Sequence, residues 1–220
     1  MLKLGITEAE LREGHLRADD IRDSFYLDLL LPKIDELISV LLDSSDNNSQ
    51  IRADAAYKLG QSYLFDTRII EPLVKSAFYS EPEVQRASIW ALGNTGEPEI
   101  FAVFINLLLN QNNDLVNEAI TALGKLGDPR AVPYIKEILA RSSGNAETRL
   151  RIVFALGQIG SADSLPVLIS LAKDTIPEVG GAAISVLAQF DKPEAQQVVI
   201  EALDHKEAFV RVQAFAGLSR

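Results

Sequence analysis

Apolar and polar positions alternate along this chain with a long, regular period. The pattern closes six times on a similar tripeptide: Lys58-Leu59-Gly60, Ala91-Leu92-Gly93, Ala122-Leu123-Gly124, Ala155-Leu156-Gly157, Val186-Leu187-Ala188 and Gly217-Leu218-Ser219. The leucines lie 33, 31, 33, 31 and 31 residues apart, a spacing typical of two-helix repeat units. Eight, four and one positions before the leucine, apolar or small residues recur: Ile51, Ala55; Val84, Ser88, Ala91; Leu115, Ala119, Ala122; Val179, Ala183, Val186. Those offsets trace one face of an α-helix, and the small residues on it let neighbouring helices approach closely. The glycine after the leucine is expected in the left-handed conformation that ends a helix. A second glycine three residues on, at Gly96, Gly127 and Gly160, marks the turn.

A second apolar helix follows each turn, most clearly at Ala131-Val132-Pro133-Tyr134-Ile135 and Ser164-Leu165-Pro166-Val167-Leu168. Proline fits there because its missing N–H has no partner in the first turn of a helix. In Ser80-Glu81-Pro82-Glu83 and Thr175-Ile176-Pro177-Glu178 a hydroxyl cap, a proline and an acid precede the next first helix. Glu83, Asp114, Glu147 and Glu178 share one repeat position, where they offset the helix dipole. Residues 49–220 therefore read as an all-α solenoid of about five and a half two-helix repeats. Residues 1–48 read as an N-terminal helical cap: Thr7-Glu8-Ala9-Glu10 forms a capping box, and Asp20 to Leu42 supports one or two helices around Pro32. The polar run Asp43 to Gln50 reads as a linker.

Composition narrows the chemistry. The chain has 220 residues, no cysteine and two histidines, His15 and His205. Disulfides, thiolate metal sites and cysteine nucleophiles are thereby excluded, and neither histidine stands at metal-ligand spacing. The formal charge is −10, with eleven acidic and five basic residues in the first fifty; such a balance repels phosphate backbones, so nucleic acid is not an expected partner. The start lacks the apolar run of a secretory signal, which implies a cytoplasmic address. The longest apolar stretch, Ile100 to Leu109, is about half of the roughly 20 residues a membrane-spanning helix needs and reads as a buried helix. No phosphate loop, serine elbow or carboxylate dyad appears.

Gln85 to Gly93, and Leu123-Gly124-Lys125-Leu126-Gly127-Asp128-Pro129-Arg130-Ala131-Val132-Pro133, resemble the phycobilisome-lyase HEAT-like repeat family. Its units carry a Val-Arg-x-x-Ala-x-x-Ala-Leu-Gly helix and then a Gly-Asp-x-x-Ala-Val-Pro helix. The resemblance covers residues 50–220 and implies a right-handed α-α superhelix. Members of that family include bilin lyase subunits, which load or remove linear tetrapyrroles on phycobiliproteins, and a cyanobacterial phycobilisome-degradation protein, which this layout resembles most. The paired His-Glu motifs of the family branch that hydroxylates a modified lysine are absent.

The resemblance also implies that the Ala-Leu-Gly helices line the concave face. Two residues before each leucine stand Tyr57, Trp90, Thr121, Phe154, Ser185 and Ala216. Tyr57, Trp90 and Phe154 could stack on a planar ligand or anchor a partner helix, or simply fill gaps between repeats. A bilin carries two propionates, which arginine pairs bidentately. Arg86 and Arg151, near the line five residues before the leucine, are the candidate cations, against the alternative of solvated charges. Arg52, Arg149 and Arg211 are assigned to packing and loop hydrogen bonds.

Three functions remain open. One is a non-catalytic accessory protein that binds a phycobiliprotein or its bilin, phycocyanobilin, in phycobilisome turnover or assembly; another is a bilin lyase; the third is a general protein-binding scaffold. No cofactor is required by any of these readings, with a linear tetrapyrrole a possible ligand of the first two. The sixth unit has a first helix only, which could serve as a docking surface for a second chain or cap the array itself.

Overall fold

A computed structural model describes the backbone of residues 16–17, 24–44, 48–61, 64–65 and 67–219, and the side chains of residues 33–44, 48–61 and 67–219. The capping box at Thr7 and His15 lie outside the described residues. Among the described residues the fold is helical throughout, apart from a two-residue parallel pairing of Leu16–Arg17 with Leu64–Phe65.

The chain divides into two compact units, Met1–Gly96 and Glu97–Arg220. The first holds α1 (Ser24–Leu42), α2 (Ser49–Gly60), α3 (Ile70–Tyr79) and α4 (Pro82–Thr95). α1 is one helix that runs through Pro32 and packs on α2, and α2 and α3 both pack on α4. The second holds α5 (Phe101–Leu107), α6 (Asn113–Leu126), α7 (Val132–Arg141), α8 (Ala146–Ile159), α9 (Ser164–Leu171), α10 (Pro177–Leu187), α11 (Pro193–Glu201) and α12 (Ala208–Leu218). Here the first helices α6, α8, α10 and α12 pack one on the next, and each second helix packs on the first helix that follows it.

The repeated leucine is the centre of this packing: Leu59, Leu92, Leu123, Leu156 and Leu187 are all at most 1% exposed. The apolar and small residues named above at eight, four and one positions earlier are buried as the pattern predicts, except Ile51, which is 48% exposed. Ile100 to Leu109 is amphipathic rather than wholly buried. Phe104 and Leu107 are in the core, whereas Leu109 is 73% exposed.

The two glycines of each repeat have separate roles, and the expectation for the first is corrected. Gly96, Gly127 and Gly160 carry φ of 68°, 67° and 60° and end α4, α6 and α8 in the left-handed conformation. The glycine directly after the leucine is helical instead. It is required by close approach: a Cβ on Gly60 would fall 2.5 Å from Ala91 Cα, and one on Gly124 would fall 2.7 Å from Ala155 Cα. α4, α6 and α8 therefore run about one turn beyond the leucine, because the left-handed residue comes three positions later, whereas α2 ends at Gly60.

Helix starts also differ from the sequence reading. The residues before Pro82 and Pro177 are Glu81 and Ile176, and neither makes a side-chain cap bond. Ser80 Oγ instead accepts from Arg52 Nη2 at 3.0 Å, and Asp174 Oδ1 accepts from the Ile176 N–H at 2.9 Å. Side-chain caps are supplied by Asn48, Asn112 and Asn145.

Arg52, Arg149 and Arg211 hold the loops, as their position predicts. Arg52 is 7% exposed and donates to the Leu41 carbonyl, Ser80 and Glu81 at 3.0, 3.0 and 2.7 Å. Arg149 grips the buried Asp174 carboxylate through Nε at 2.7 Å and through Nη2. Arg211 donates to the carbonyls of His205 and Lys206.

Candidate functional site

The position two before the leucine sits at the edge of each helix's buried stripe, so its side chain is part core and part surface. In the first unit this brings Tyr57 of α2 against Trp90 of α4. Their ring centroids are 5.3 Å apart with planes at 68°, an edge-to-face pair. Gly60 makes room for it, since a Cβ there would lie 3.1 Å from the indole. Tyr57 is 37% exposed and Trp90 is half-buried, so both rings combine packing with an accessible edge. Arg86 precedes Trp90 by one helical turn on the same side of α4. It is half-exposed and has no hydrogen-bond or ion-pair partner among the described residues. A cation and two accessible rings are thus gathered on adjacent helices.

In the second unit Phe154 and Arg151 share one side of α8. Phe154 is 55% exposed and is the barest of the three aromatics. Arg151 is committed within the fold: it donates to Thr121 Oγ1 at 3.2 Å and pairs with Glu147 at 3.3 Å and Glu118 at 3.6 Å. Partial burial lowers the pKa of the neighbouring Lys125 ammonium, and the Glu118 charge acts in the opposite direction. Asn117, which neighbours the same line in sequence, turns inward. It is 1% exposed and accepts from Thr148 Oγ1 at 2.8 Å. Ser185 donates to Gln213 at 2.6 Å.

The acids around Arg151 are the residues that sequence reasoning missed. Their signals were available: Glu147 stands four residues before Arg151, and Glu118 occupies the register of Arg151 one repeat earlier. A shallow cleft of about 520 Å³ between α1 and α2, lined by Lys33, Glu36, Leu37, Val40, Ile51 and Asp54, was also not foreseen. It explains why Ile51 is exposed. Among the described residues no cluster of acids and histidines could hold a metal ion, and no helix is long and apolar enough to cross a membrane.

Paired helices repeated in this way, with a buried leucine in each first helix and close glycine contacts to the next first helix at Gly60, Gly124 and Gly157, define an α-helical repeat protein. Sequence comparison identifies the class more narrowly, matching HEAT repeats over residues 34–117, 70–144 and 139–219. The chain belongs to the HEAT-repeat family. No characterised protein matches it significantly by sequence. Among solved structures it is similar to the complex of CpcE and CpcF of phycocyanin lyase from Nostoc sp. PCC7120. The TM-score is 0.62 at 20% identity, over 84% of this chain and 75% of that one. An engineered protein gives 0.54 at 22% identity over 84% and 95%. A designed armadillo repeat protein in complex with the peptide (KR)4 gives 0.53 at 18% over 84% and 98%. These likenesses establish the fold.

Proposed function

We propose that this chain is a non-catalytic binding protein that grips a phycobiliprotein or its linear tetrapyrrole during assembly or turnover of the phycobilisome. The observation that carries the reading is the grouping of Tyr57, Trp90 and Arg86, which has no partner among the described residues. A bilin is a planar conjugated ligand with two propionates, and this group offers ring edges for the plane and a guanidinium for a carboxylate. The similarity to a phycocyanin lyase complex supports the same ligand class.

The second reading is a general protein-binding scaffold, favoured by the second unit. There Arg151 is already neutralised and the bare Phe154 suits an apolar anchor on a partner protein. Trp90 is the only tryptophan, so its fluorescence reports the site directly. Titration with phycocyanobilin and, separately, with intact phycocyanin should quench or shift Trp90 saturably, and Trp90→Ala should lose the bilin absorbance change. Silence toward both ligands overturns the reading in favour of the scaffold. Transfer of bilin to an apoprotein would make the chain a lyase.

A further inference from the structure

Asp54 stands one turn before Tyr57 on α2, as Arg86 stands one turn before Trp90 on α4. Tyr57 meets Trp90 and Gly60 approaches Ala91, so the two helices lie side by side in one direction and in register. The carboxylate and the guanidinium therefore flank the ring pair on the same side of it, one from each helix, with axes about 8–10 Å apart.

Asp54 is exposed, and among the described residues its one hydrogen bond is with the neutral Gln50, whose Nε2 donates to Oδ1 at 3.0 Å. No cation pairs with it there, although Lys33 and Lys58 border the same cleft. The second unit shows what this register does when both helices carry charge. Glu118, five residues before Leu123, meets Arg151, five before Leu156, at 3.6 Å. In the first unit the residue five before Leu92 is Ala87, which is fully buried. Arg86 stands one position off that line, and it forms no pair with Asp54 among the described residues. Two opposite charges are thus left beside one pair of rings.

We infer that Asp54 accepts an N–H of the ligand and makes the site selective for open-chain over cyclic tetrapyrroles, an inference that rests on the bilin reading above. The rings and Arg86 do not distinguish the two classes, since protoporphyrin IX also offers a conjugated plane and two propionates. Its nitrogens, however, converge on the centre of the macrocycle, out of reach of a side chain at the edge. An open chain presents N–H groups along its unclosed side and at its terminal lactams. A carboxylate that accepts from one of them forms a charge-assisted bond, whereas a carboxylate that meets only propionates repels them. Without an N–H contact Asp54 opposes any ligand with two propionates; with one, it favours the open chain alone.

Trp90 fluorescence of the full chain, titrated with phycocyanobilin and separately with protoporphyrin IX, reads this selectivity. Phycocyanobilin should bind about tenfold or more tighter than the porphyrin. Asp54→Ala, at an exposed helical position that alanine suits, should keep the circular dichroism of the unaltered chain. It should weaken phycocyanobilin binding about tenfold or more and leave the porphyrin unchanged or slightly tighter, so that the preference disappears. Arg86→Ala should weaken both ligands by similar factors. If Asp54→Ala leaves phycocyanobilin unchanged or tighter, Asp54 is a surface charge without an N–H contact, and the inference falls while the bilin reading stands. An equal loss with both ligands assigns Asp54 to the packing of the ring pair and also overturns it. Binding of neither free tetrapyrrole overturns it as well, and the titration with intact phycocyanin then decides the bilin reading by itself.

Discussion

Gly124 and Ala155 bring two first helices into backbone contact: a Cβ on Gly124 would fall 2.7 Å from the Ala155 Cα. Replacing a mid-helix glycine by alanine usually stabilises by about 1 kcal/mol. Here the sign reverses, because the new methyl meets backbone that cannot swing aside. Gly124→Ala should destabilise by about 1–3 kcal/mol, read from urea unfolding followed by circular dichroism. Gly127→Ala should also destabilise, for a different reason. It meets nothing within 4 Å, yet its φ of 67° costs an L-residue about 1–2 kcal/mol. A stabilised Gly124→Ala would show that the helices are further apart than described.

Arg149 and Asp174 form a pair whose acid has a side chain only 2% exposed. Removing the arginine strands a buried carboxylate that also holds the start of α10 through the Ile176 N–H. Arg149→Met should cost about 3–5 kcal/mol. Adding Asp174→Asn should recover part of that loss, since the stranded charge is gone. Additive losses in the double variant would mean the two side chains act separately.

Ser88 and Ser76 are fully buried, and their hydroxyls have no hydrogen-bond partner among the described residues. Other repeats place Ala55, Ala119, Ala183 and Ala214 where Ser88 stands. Losing an unsatisfied hydroxyl relieves a desolvation cost, so Ser88→Ala should raise stability by about 1 kcal/mol. A loss of similar size on thermal unfolding would reveal a partner for the hydroxyl.

Asp128 caps the turn before α7 by accepting from the Arg130 N–H at 2.9 Å, and the Arg130 guanidinium bonds the same carboxylate. That pairing holds the Asp128 carboxyl below its ordinary value. A carboxylate lowered on folding stabilises above its unfolded pKa, and that stability is lost as pH falls through the folded pKa. Unfolding midpoints should therefore drop below about pH 4, and Asp128→Asn should flatten the drop. An identical acid profile in the variant would mean other carboxylates set it.

The repeat was legible because burial enforces it. Leu92, Leu123 and Leu156 must enter a core at each turn of the array, and that demand writes a period into the sequence. Chemistry with two solutions was less legible. Gly124 reads equally as a helix end or as a contact point, and only the distance to Ala155 decides. Ser80 reads as a cap, but Arg52 competes for its hydroxyl from a helix about thirty residues earlier in the chain. At the site, register put Tyr57 and Trp90 at equivalent positions, and the edge-to-face contact follows from adjacent helices. Of the partners of Arg151, Glu147 follows from the spacing of four along one helix, whereas Glu118 and Thr121 depend on side-chain reach between repeats, which no spacing along one helix conveys.

Arg86 and Arg151, equal candidates by residue type, should separate in function. Arg151 already satisfies Thr121, Glu147 and Glu118, so a ligand carboxylate would have to displace two acids to reach it. Arg86 has no such competitor among the described residues and lies one turn from Trp90. A charge-assisted bond to a carboxylate is worth about 1.5–3 kcal/mol, so Arg86→Ala should weaken phycocyanobilin binding about tenfold or more in the Trp90 titration. Arg151→Ala should change it little and should instead leave Glu118 and Glu147 facing each other, lowering stability. If Arg151→Ala weakens binding as much as Arg86→Ala, the bilin contacts the second unit and the Tyr57–Trp90 pair is packing.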